Sequence, residues 1–323
     1  MTHMPAILSV NRSALPIVEK IIRNSNELGV LVEKTPEGTT VIDAGIRSRG
    51  GYSVGRLLTE VCLGGMGTAN LTSLTCGDFE LPAISVSTDQ PATALFGSQY
   101  AGWRIKLGKY FAMASGPARA LALKPKEIYD KIDYKDESDF ALVVLETTEK
   151  PPPEVLSTLA KACKVTLERL YVIVVPTTSM AGSIQVSGRV VEVGLHKLTD
   201  VGFNPKDVVS GFGIAPISPV HHKPDKAMGR TNDMILYGGR VYFSVLAEDD
   251  EQLRTIVEKV PACTSKDYGR PFAEIFKAVN YDFYKVDPGL FAPASITVNN
   301  LKTGSTFNAG LINTEALKLS IRS

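Results

Sequence analysis

The stretch SIQVSGRVVEVGLHKL carries three side chains whose types and spacing suit acid–base chemistry. Wound at about 3.6 residues per turn from Gly188, its apolar residues fall on one stripe, with Arg189, Glu192 and His196 roughly opposite. A glutamate in the first turn of a helix and next to an arginine would stay ionised and could activate a water molecule. The spacing equally fits an ordinary solvent-facing ion pair, worth about 0.2–0.5 kcal/mol, so both interpretations remain open.

A second polar turn lies in ASGPARAL, where Ser115 and Gly116 precede a helix that Pro117 would open. Arg119 would then sit in the first helical turn, an arrangement suited to binding a phosphate or a carboxylate. Ordinary capping together with a surface arginine explains the same residues. This segment is therefore a candidate anion site with a structural alternative.

Two further segments offer contacts to a flat, polar ligand. In QYAGW, Tyr100 is placed to stack on a heterocycle, whereas we expect Trp103, the single tryptophan, to lie in the core. In AMGRTNDMILYGG, Thr231 and Asn232 precede a predicted strand, DMILY, where they could line the mouth of a pocket. A simple turn into the strand explains these two residues equally well.

Sequence motifs for nucleotide and metal binding are incomplete. The glycines of LGGMGTAN and GFGIAP break the dinucleotide pattern GxGxxG, because its third glycine would fall at Asn70 and at Pro216. No GxxxxGK[ST] motif occurs. His221 and His222 lack the spacing of HExxH or HxH, and adjacent histidines are expected to project in different directions. We therefore expect no metal site.

Composition limits the class of protein. The 323 residues, 44% apolar and 21% charged, can bury a sizeable core. A net charge of +1 points neither to nucleic acid nor to a membrane surface. No apolar run approaches the ~20 residues that span a bilayer, and no secretory signal opens the chain, so we expect a soluble cytoplasmic protein. Four scattered cysteines without a CxxC pair fit reduced, mostly buried thiols.

The apolar periods predict which elements position these residues. DFALVVLET, PPPEVLSTLAKAC and LYVIVVPTT form a strand, a helix and a strand, which favours parallel pairing with a right-handed crossover. The helix of Glu192 follows, then the strand DVVSGFGIAPI. A hairpin-like pair, DMILY and RVYFSVLA, is joined through Gly238 and Gly239, and DDEQLRTIVEKV closes the unit as a helix.

These elements predict a mixed α/β protein of the α+β class with two α/β lobes. The second lobe would span residues 131–264 and carry the helix of Glu192. The first lobe would be built from both termini, residues 1–130 and 265–323. Because pockets favour domain junctions, we expect the active-site pocket between the lobes.

Segments spread along the chain resemble a known enzyme family. In order they are VCLGGMG, QYAGW, YFAMASGPARALALKPKEIY, VVPTTSMAGSIQVSGRVVEVG, GIAPISPV, AMGRTNDMILYGGRVYF and YDFYKVDPGLFAPASITVNNLKTG. From Ser9 nearly to the C-terminus they closely resemble methenyltetrahydromethanopterin cyclohydrolases. The resemblance implies a cytoplasmic hydrolase of one-carbon metabolism, usually a homotrimer, with a pterin substrate between two lobes. It implies neither a metal nor a redox cofactor.

The resemblance also assigns roles to residues. The arginine and glutamate of the family's SGRVVE motif are associated with catalysis, and they correspond to Arg189 and Glu192. Archaeal relatives often carry lysine where this chain has Tyr100, so it looks more like a bacterial methylotroph enzyme of formaldehyde oxidation. The substrate-binding candidates, which include contacts to the pterin ring and to the anionic coenzyme tail, are Tyr100, Ser115, Arg119, Gly182, Ser183, Gln185, Thr231 and Asn232.

A mechanism follows for that substrate. Its methenyl carbon bridges two nitrogens in a cationic ring and is electrophilic without a Lewis acid. Glu192 would take a proton from the attacking water and return one to the leaving nitrogen. Arg189, behind it, would hold the carboxylate in position and set its pKa low enough to act as a base. The alternatives are a protein that binds a pterin without converting it, and a metal-dependent hydrolase that uses His221 and His222.

Overall fold

Two six-stranded β-sheets and twelve α-helices form the part of the chain that the computed structural model describes, residues 8–282 and 285–322. The predicted α+β class is confirmed. The strands are β1 (Leu31–Lys34), β2 (Thr40–Asp43), β3 (Thr68–Cys76), β4 (Phe79–Thr88), β5 (Trp103–Leu107), β6 (Tyr110–Ser115), β7 (Ala141–Glu146), β8 (Leu170–Val174), β9 (Val208–Pro216), β10 (Arg240–Val245), β11 (Ser295–Asn300) and β12 (Thr306–Gly310).

The helices cover the sheets and connect them. They are α1 (Val10–Arg23), α2 (Ser25–Leu28), α3 (Tyr52–Cys62), α4 (Ala118–Ala122), α5 (Lys126–Ile132), α6 (Pro153–Cys163), α7 (Met180–Ser187), α8 (Val190–Asp200), α9 (Pro224–Gly238), α10 (Asp250–Glu258), α11 (Phe272–Ala278) and α12 (Thr314–Arg322). A π-helix, Ala92–Gln99, precedes β5. No helix in the described part of the chain is both long enough and apolar enough to cross a bilayer.

The first sheet has the strand order β1-β2-β8-β7-β6-β5. Strands β7 and β8 pair in parallel through the crossover helix α6, as the apolar runs predicted. Their side chains are buried on both faces because α1 and α3 cover one face, around Leu142 and Ile173, and α6 covers the other, around Val143 and Val172. This double coverage explains why the two strands are apolar at nearly every position.

The second sheet has the strand order β12-β11-β10-β9-β4-β3. The predicted strands near DVVSGFGIAPI and RVYFSVLA form β9 and β10, which pair antiparallel. Helices α8 and α10 pack on one face of this sheet through Val191, Leu195 and Leu253, against Val241 and Phe243. The second sheet therefore fixes the position of the helix that carries Glu192.

Strands from the predicted second lobe, residues 131–264, are divided between the two sheets. β7 and β8 belong to the first sheet, whereas β9 and β10 belong to the second. β9 pairs with β4, a strand from the N-terminal part of the chain. The predicted boundary therefore does not follow the sheets, because an apolar period identifies a strand without identifying its neighbour.

The predicted strand DMILY is wrong, and so is its hairpin with β10. Residues 224–238 form the single helix α9, so Thr231 and Asn232 are helical. Helices α7, α11 and α12 pack around α9, and the run from Met234 to Tyr237 is buried throughout. A helix enclosed on several sides loses its polar stripe, so a short apolar run within it resembles a buried strand.

Candidate active site

Glu192 lies in the first turn of α8 and is 5% exposed. The chain reaches it through a break between two helices, since α7 ends at Ser187 with Gly188 as its C-cap and Arg189 stands at the N-cap position of α8. The predicted apolar stripe is buried against the second sheet, with Val190 among its members. Arg189 is itself only 8% exposed, so the solvent-facing ion pair is excluded.

The guanidinium of Arg189 is held by neutral acceptors from several elements. Its Nε and Nη2 donate to Oε1 of Gln185 at 3.2 and 3.0 Å, and Nη2 also donates to Oγ of Ser115 at 2.9 Å. Nη1 donates to the backbone carbonyl of Gln99. No ion pair joins it to Glu192 within the described residues, so the prediction that Arg189 holds this carboxylate directly is wrong. Helix α7, strand β6 and the π-helix anchor it instead.

The carboxyl group of Glu192 accepts no hydrogen bond from the described residues, 8–282 and 285–322. Burial raises its pKa, and this effect outweighs the opposing charges of His196, Arg189 and Arg119. The charge of Arg189 lowers this pKa, as expected, but burial raises it by more. Burial thus favours the protonated form, whereas the three cationic neighbours favour the carboxylate.

Arg119 is fully buried, which excludes a surface arginine. Its Nε donates to the carbonyl of Lys124 at 2.8 Å, and its Nη1 donates to the carbonyls of Phe96 and Ser98 at 3.0 and 3.2 Å. The guanidinium carbon lies 5.2 Å from the ring centroid of Tyr100. Backbone carbonyls thus take most of the donors that a phosphate would need.

Unpartnered polar atoms cluster around these two arginines. Oγ of Ser98, Oε1 of Gln99, Nη2 of Arg119 and Nε2 of Gln185 are buried without a hydrogen-bond partner in the described part of the chain. A buried polar atom left unpaired costs about 1–3 kcal/mol. Four such atoms in connected residues indicate a place where water or a polar ligand supplies the missing partners.

The π-helix ends at this cluster. In its last turn the backbone N–H of Tyr100 donates to the carbonyl of Leu95 at 2.7 Å. The acceptor is five residues earlier in the chain, whereas in an α-helix it would be four residues earlier. The Tyr100 ring then stacks on the imidazole of His196, with centroids 5.2 Å apart and planes at 11°. Such π-turns occur frequently at functional sites, and this one aims Gln99 and Tyr100 at the same centre.

Two residues of α7 that were predicted to contact the substrate instead contact other parts of the protein. A Cβ at Gly182 would lie 2.0 Å from the carbonyl oxygen of Pro176, so this glycine admits protein backbone rather than a flat ring. The hydroxyl of Ser183 donates to the carbonyl of Ser218 at 2.7 Å. Both contacts fix the position of α7, which carries Gln185.

The two predicted substrate contacts on α9 also form hydrogen bonds within their own helix. Oγ1 of Thr231 and Nδ2 of Asn232 donate to the carbonyl of Met228 at 3.0 and 2.8 Å. No hydrogen bond among the described residues joins either of them to the Arg189 cluster. The interpretation as a strand-entry turn is wrong as well, because both residues lie inside a helix.

The adjacent histidines do not project apart. The rings of His221 and His222 stack, with centroids 4.7 Å apart and planes at 18°, so that prediction is wrong. Nδ1 of His221 accepts a hydrogen bond from the backbone N–H of Lys223. Across the described ranges, no group of three His, Cys, Asp or Glu side chains is arranged to hold a metal ion.

Sequence reasoning missed part of the cluster. Gln99, which binds Arg189 through its carbonyl and the carbonyl of Gly188 through its side chain, stands directly before Tyr100 in QYAGW. Cys62 places its sulfur 3.9 Å from Nη2 of Arg189. The QYAGW motif could have predicted Gln99. No local sequence pattern predicts Cys62, because its position depends on the packing of α3 against α7.

The fold and the site define an α+β protein in which a buried glutamate lies in the field of two buried arginines. The sequence model of the family described as Cyclohydrolase (MCH) matches residues 9–321. The chain therefore belongs to this family.

Relatives agree over almost the full chain. The methenyltetrahydromethanopterin cyclohydrolase of Methanocaldococcus jannaschii is 45% identical over 318 residues, 98% of each chain. The enzyme of the same name from Methanothermobacter marburgensis is 44% identical, covering 97% of this chain and 99% of its own. That from Methanococcoides burtonii is 43% identical, covering 95% and 96%.

Proposed function

We propose that this protein hydrolyses the methenyl bridge of methenyltetrahydromethanopterin to give 5-formyltetrahydromethanopterin, a reversible reaction of one-carbon metabolism. The observation that carries the proposal is the buried carboxyl of Glu192, which accepts no hydrogen bond from residues 8–282 and 285–322 and lies in the field of Arg189 and Arg119. Membership of the Cyclohydrolase family and the names of the relatives support it.

Chemically, the substrate matches such a carboxyl. The bridging carbon of the amidinium ring carries positive charge, which an ionised Glu192 stabilises. As water attacks this carbon, an O–H bond breaks, a C–O bond forms and Glu192 takes the proton. The carbon–nitrogen bond away from the retained formyl group then breaks as its nitrogen receives that proton from Glu192. The hydroxyl of the adduct gives its remaining proton to Glu192 as the formyl C=O forms. Glu192 acts first as a base, then as an acid and again as a base.

Arg189 and its acceptors serve as the rigid support of this chemistry. Arg189 donates to both Gln185 and Ser115. Nε2 of Gln185, which has no partner among the described residues, is available to the substrate. Tyr100 is half-buried next to Glu192's helix, and Nη2 of Arg119 is unpartnered, so both are proposed to contact the pterin. Gly182, Ser183, Thr231 and Asn232 would then act indirectly, by shaping α7 and α9 around the proposed pocket between the lobes.

The direct test is the Glu192→Gln variant. Gln keeps the shape but neither takes nor returns a proton, so we expect turnover to fall by about 10²–10⁴ while substrate binding is largely retained. The measurement is loss of the methenyl absorbance band on mixing substrate with catalytic amounts of protein.

The matched control is Glu258→Gln on α10, where the side chain is exposed. It should leave turnover unchanged. Near-normal turnover in Glu192→Gln would remove this residue from the mechanism. A wild-type protein that binds the pterin but leaves the band intact would instead support the carrier alternative.

The proposal includes catalysis without a metal or a redox cofactor, because the amidinium carbon is already electrophilic. Dialysis against a chelator should therefore leave turnover unchanged. Inhibition that added zinc reverses would favour the metal-dependent alternative, with His221 and His222 as the first residues to replace.

We further propose a homotrimer in the cytoplasm of a methylotroph that oxidises formaldehyde. The family resemblance supports the trimer, and Tyr100 in place of an archaeal lysine supports the metabolic setting, although the relatives compared above are from methanogens. Light scattering should give three times 34.8 kDa. Deletion of the gene in its source organism should cause sensitivity to formaldehyde, and unchanged growth on methanol would contradict this setting.

A further inference from the structure

The proposed reaction releases one proton per turnover, and this inference rests on that reaction. A cationic methenyl ring and a neutral water give a neutral formyl product, so charge balance requires that one H⁺ leave the site. Glu192 receives the second proton of the attacking water as the formyl C=O forms, but it is only 5% exposed and has no hydrogen-bond partner in the described part of the chain. A route from this carboxyl to solvent is therefore needed.

Helix α8 provides such a route in two successive steps of four residues. Side chains four residues apart on a helix are neighbours, so His196 follows Glu192 and Asp200 follows His196 along one face. Nδ1 of His196 lies 3.2 Å from Oδ2 of Asp200. Side-chain exposure rises along this line, to 32% at His196 and 48% at Asp200.

Packing fixes the imidazole in this position. Tyr100 stacks on its ring, and the ring of Phe96 meets its edge with centroids 6.1 Å apart. Because Nδ1 is directed at Asp200, Nε2 remains the nitrogen that can exchange a proton with the interior.

The charges that face His196 favour its protonated form. They are the carboxylates of Glu192 and Asp200 on its own helix, opposed by Lys131 of α5, and the neutral phenol of Tyr100 lies against the ring. Burial acts to lower the pKa of His196, but the Asp200 hydrogen bond and the two carboxylates outweigh it, so the pKa is raised. The imidazolium is thus accessible near neutral pH.

We propose that His196, oriented by Asp200, is the proton relay that connects Glu192 with solvent. No nitrogen of His196 lies within 4.0 Å of the Glu192 carboxyl among the described contacts, so one water carries the proton between them. The Glu192 O–H bond breaks as an O–H bond forms on this water, and another of its O–H bonds breaks as an N–H bond forms on the imidazole. The imidazolium, stabilised by Asp200, then gives a proton to water or buffer at its exposed side. In the reverse direction the same groups deliver the proton that formyl-ring closure consumes. His196 is a positioning and relay residue, since it acts on the substrate only through Glu192.

The test is the His196→Gln variant in weak buffer. Its turnover should fall about tenfold, and added imidazole should restore most of the loss, because a small base in solution replaces the missing one. The wild-type enzyme should show little dependence on buffer concentration. His222→Gln, an exposed histidine outside this array, is the matched control and should behave as wild type.

A second variant, Asp200→Asn, keeps the imidazole. Turnover should rise with pH as the imidazole loses its proton and can act as a base. Because Asp200 raises the pKa of His196, this rise should move to lower pH in the variant. A pH profile that does not move, or a His196→Gln variant with normal turnover or with a loss that no buffer rescues, overturns the relay. If wild-type protein leaves the methenyl band intact, the proposed function fails instead.

Discussion

At the scale of single residues, the burial of Glu192 has a cost in stability. An acid whose pKa is raised in the folded state binds its proton more tightly there than in the unfolded chain. Its contribution to stability is therefore complete below the unfolded pKa and is lost as the pH rises through the folded pKa. Above its folded-state pKa, the buried group is a carboxylate that water would solvate better.

Glu192→Gln should therefore stabilise the protein while it removes activity. Gln is neutral at every pH, so the gain in melting temperature over wild type should be small near pH 4 and larger at pH 8. Thermal unfolding at the two pH values measures it. A variant that is less stable than wild type at pH 8 would show that the arginines stabilise the carboxylate by more than burial destabilises it.

For the site, the sequence predicted which residues meet but not how they bind. Arg189, Gln185 and Ser115 were all candidates, and the structure joins them by hydrogen bonds. The expected Arg189–Glu192 pair is absent because Arg189 caps the helix and turns back towards α7 and β6. That direction depends on the break at Gly188, where a Cβ would lie 2.5 Å from Thr59, and no local pattern contains this contact.

At the scale of elements, helix α7 is held unusually close to the chain before it. Gly182 allows this approach, because an added Cβ would meet the carbonyl of Pro176, a backbone atom that cannot rotate away. The same carbonyl accepts hydrogen bonds from the N–H and Oγ of Ser179, which caps α7. Moving Pro176 therefore disturbs the cap as well.

Gly182→Ala should destabilise the protein by about 1–3 kcal/mol and lower turnover, since α7 also carries Gln185. Urea denaturation measures the first effect. Gly51→Ala is the control, because a Cβ there meets open space, and it should stay within about 0.5 kcal/mol of wild type. Equal stability of the two variants would mean that α7 can shift without cost.

Elements were predictable where periodicity and end signals agreed. Strands β7 and β8 with α6 between them combine apolar runs with opening prolines, and their parallel pairing is confirmed. The prediction for α9 was wrong because its buried apolar run hides the helical period. The π-helix had no sequence sign, since its winding is decided by what Gln99 and Tyr100 contact after folding.

At the scale of the whole molecule, Asp233 ties the C-terminal helix to the centre of the fold. Its Oδ2 accepts from Oγ of Ser320 on α12 at 2.6 Å, and its Oδ1 accepts from the N–H of Phe272 on α11 at 2.9 Å. Burial raises the pKa of Asp233 to about 7. Its contribution to stability is present at low pH and is lost as the pH rises through about 7.

Asp233→Asn should therefore make stability less dependent on pH. Asn can still accept from Phe272 and donate to Ser320, so we expect little change near pH 5 and a gain over wild type at pH 8. Urea denaturation at both pH values checks this, with Asp130→Asn, an exposed site on α5, as the control. An equal change at both pH values would exclude titration of Asp233 as the cause.

The arrangement of the two sheets was the least predictable property. Residues 131–264 form strands in both sheets, and β9 finds its partner in β4, more than a hundred residues earlier. Pairing over such distances is decided by competition among all strands for burial, which a local period does not encode.

The π-helix makes the segment Ala92–Gln99 sensitive to length. Deletion of one residue would let the turn close in the ordinary i−4 pattern and rotate everything that follows, so the carbonyl of Gln99 would leave Arg189 and the ring of Tyr100 would leave His196. The number of residues in this segment is therefore constrained in addition to the side chains of Phe96 and Gln99. The surface turn at residues 301–305 between β11 and β12 has no such constraint from the active site.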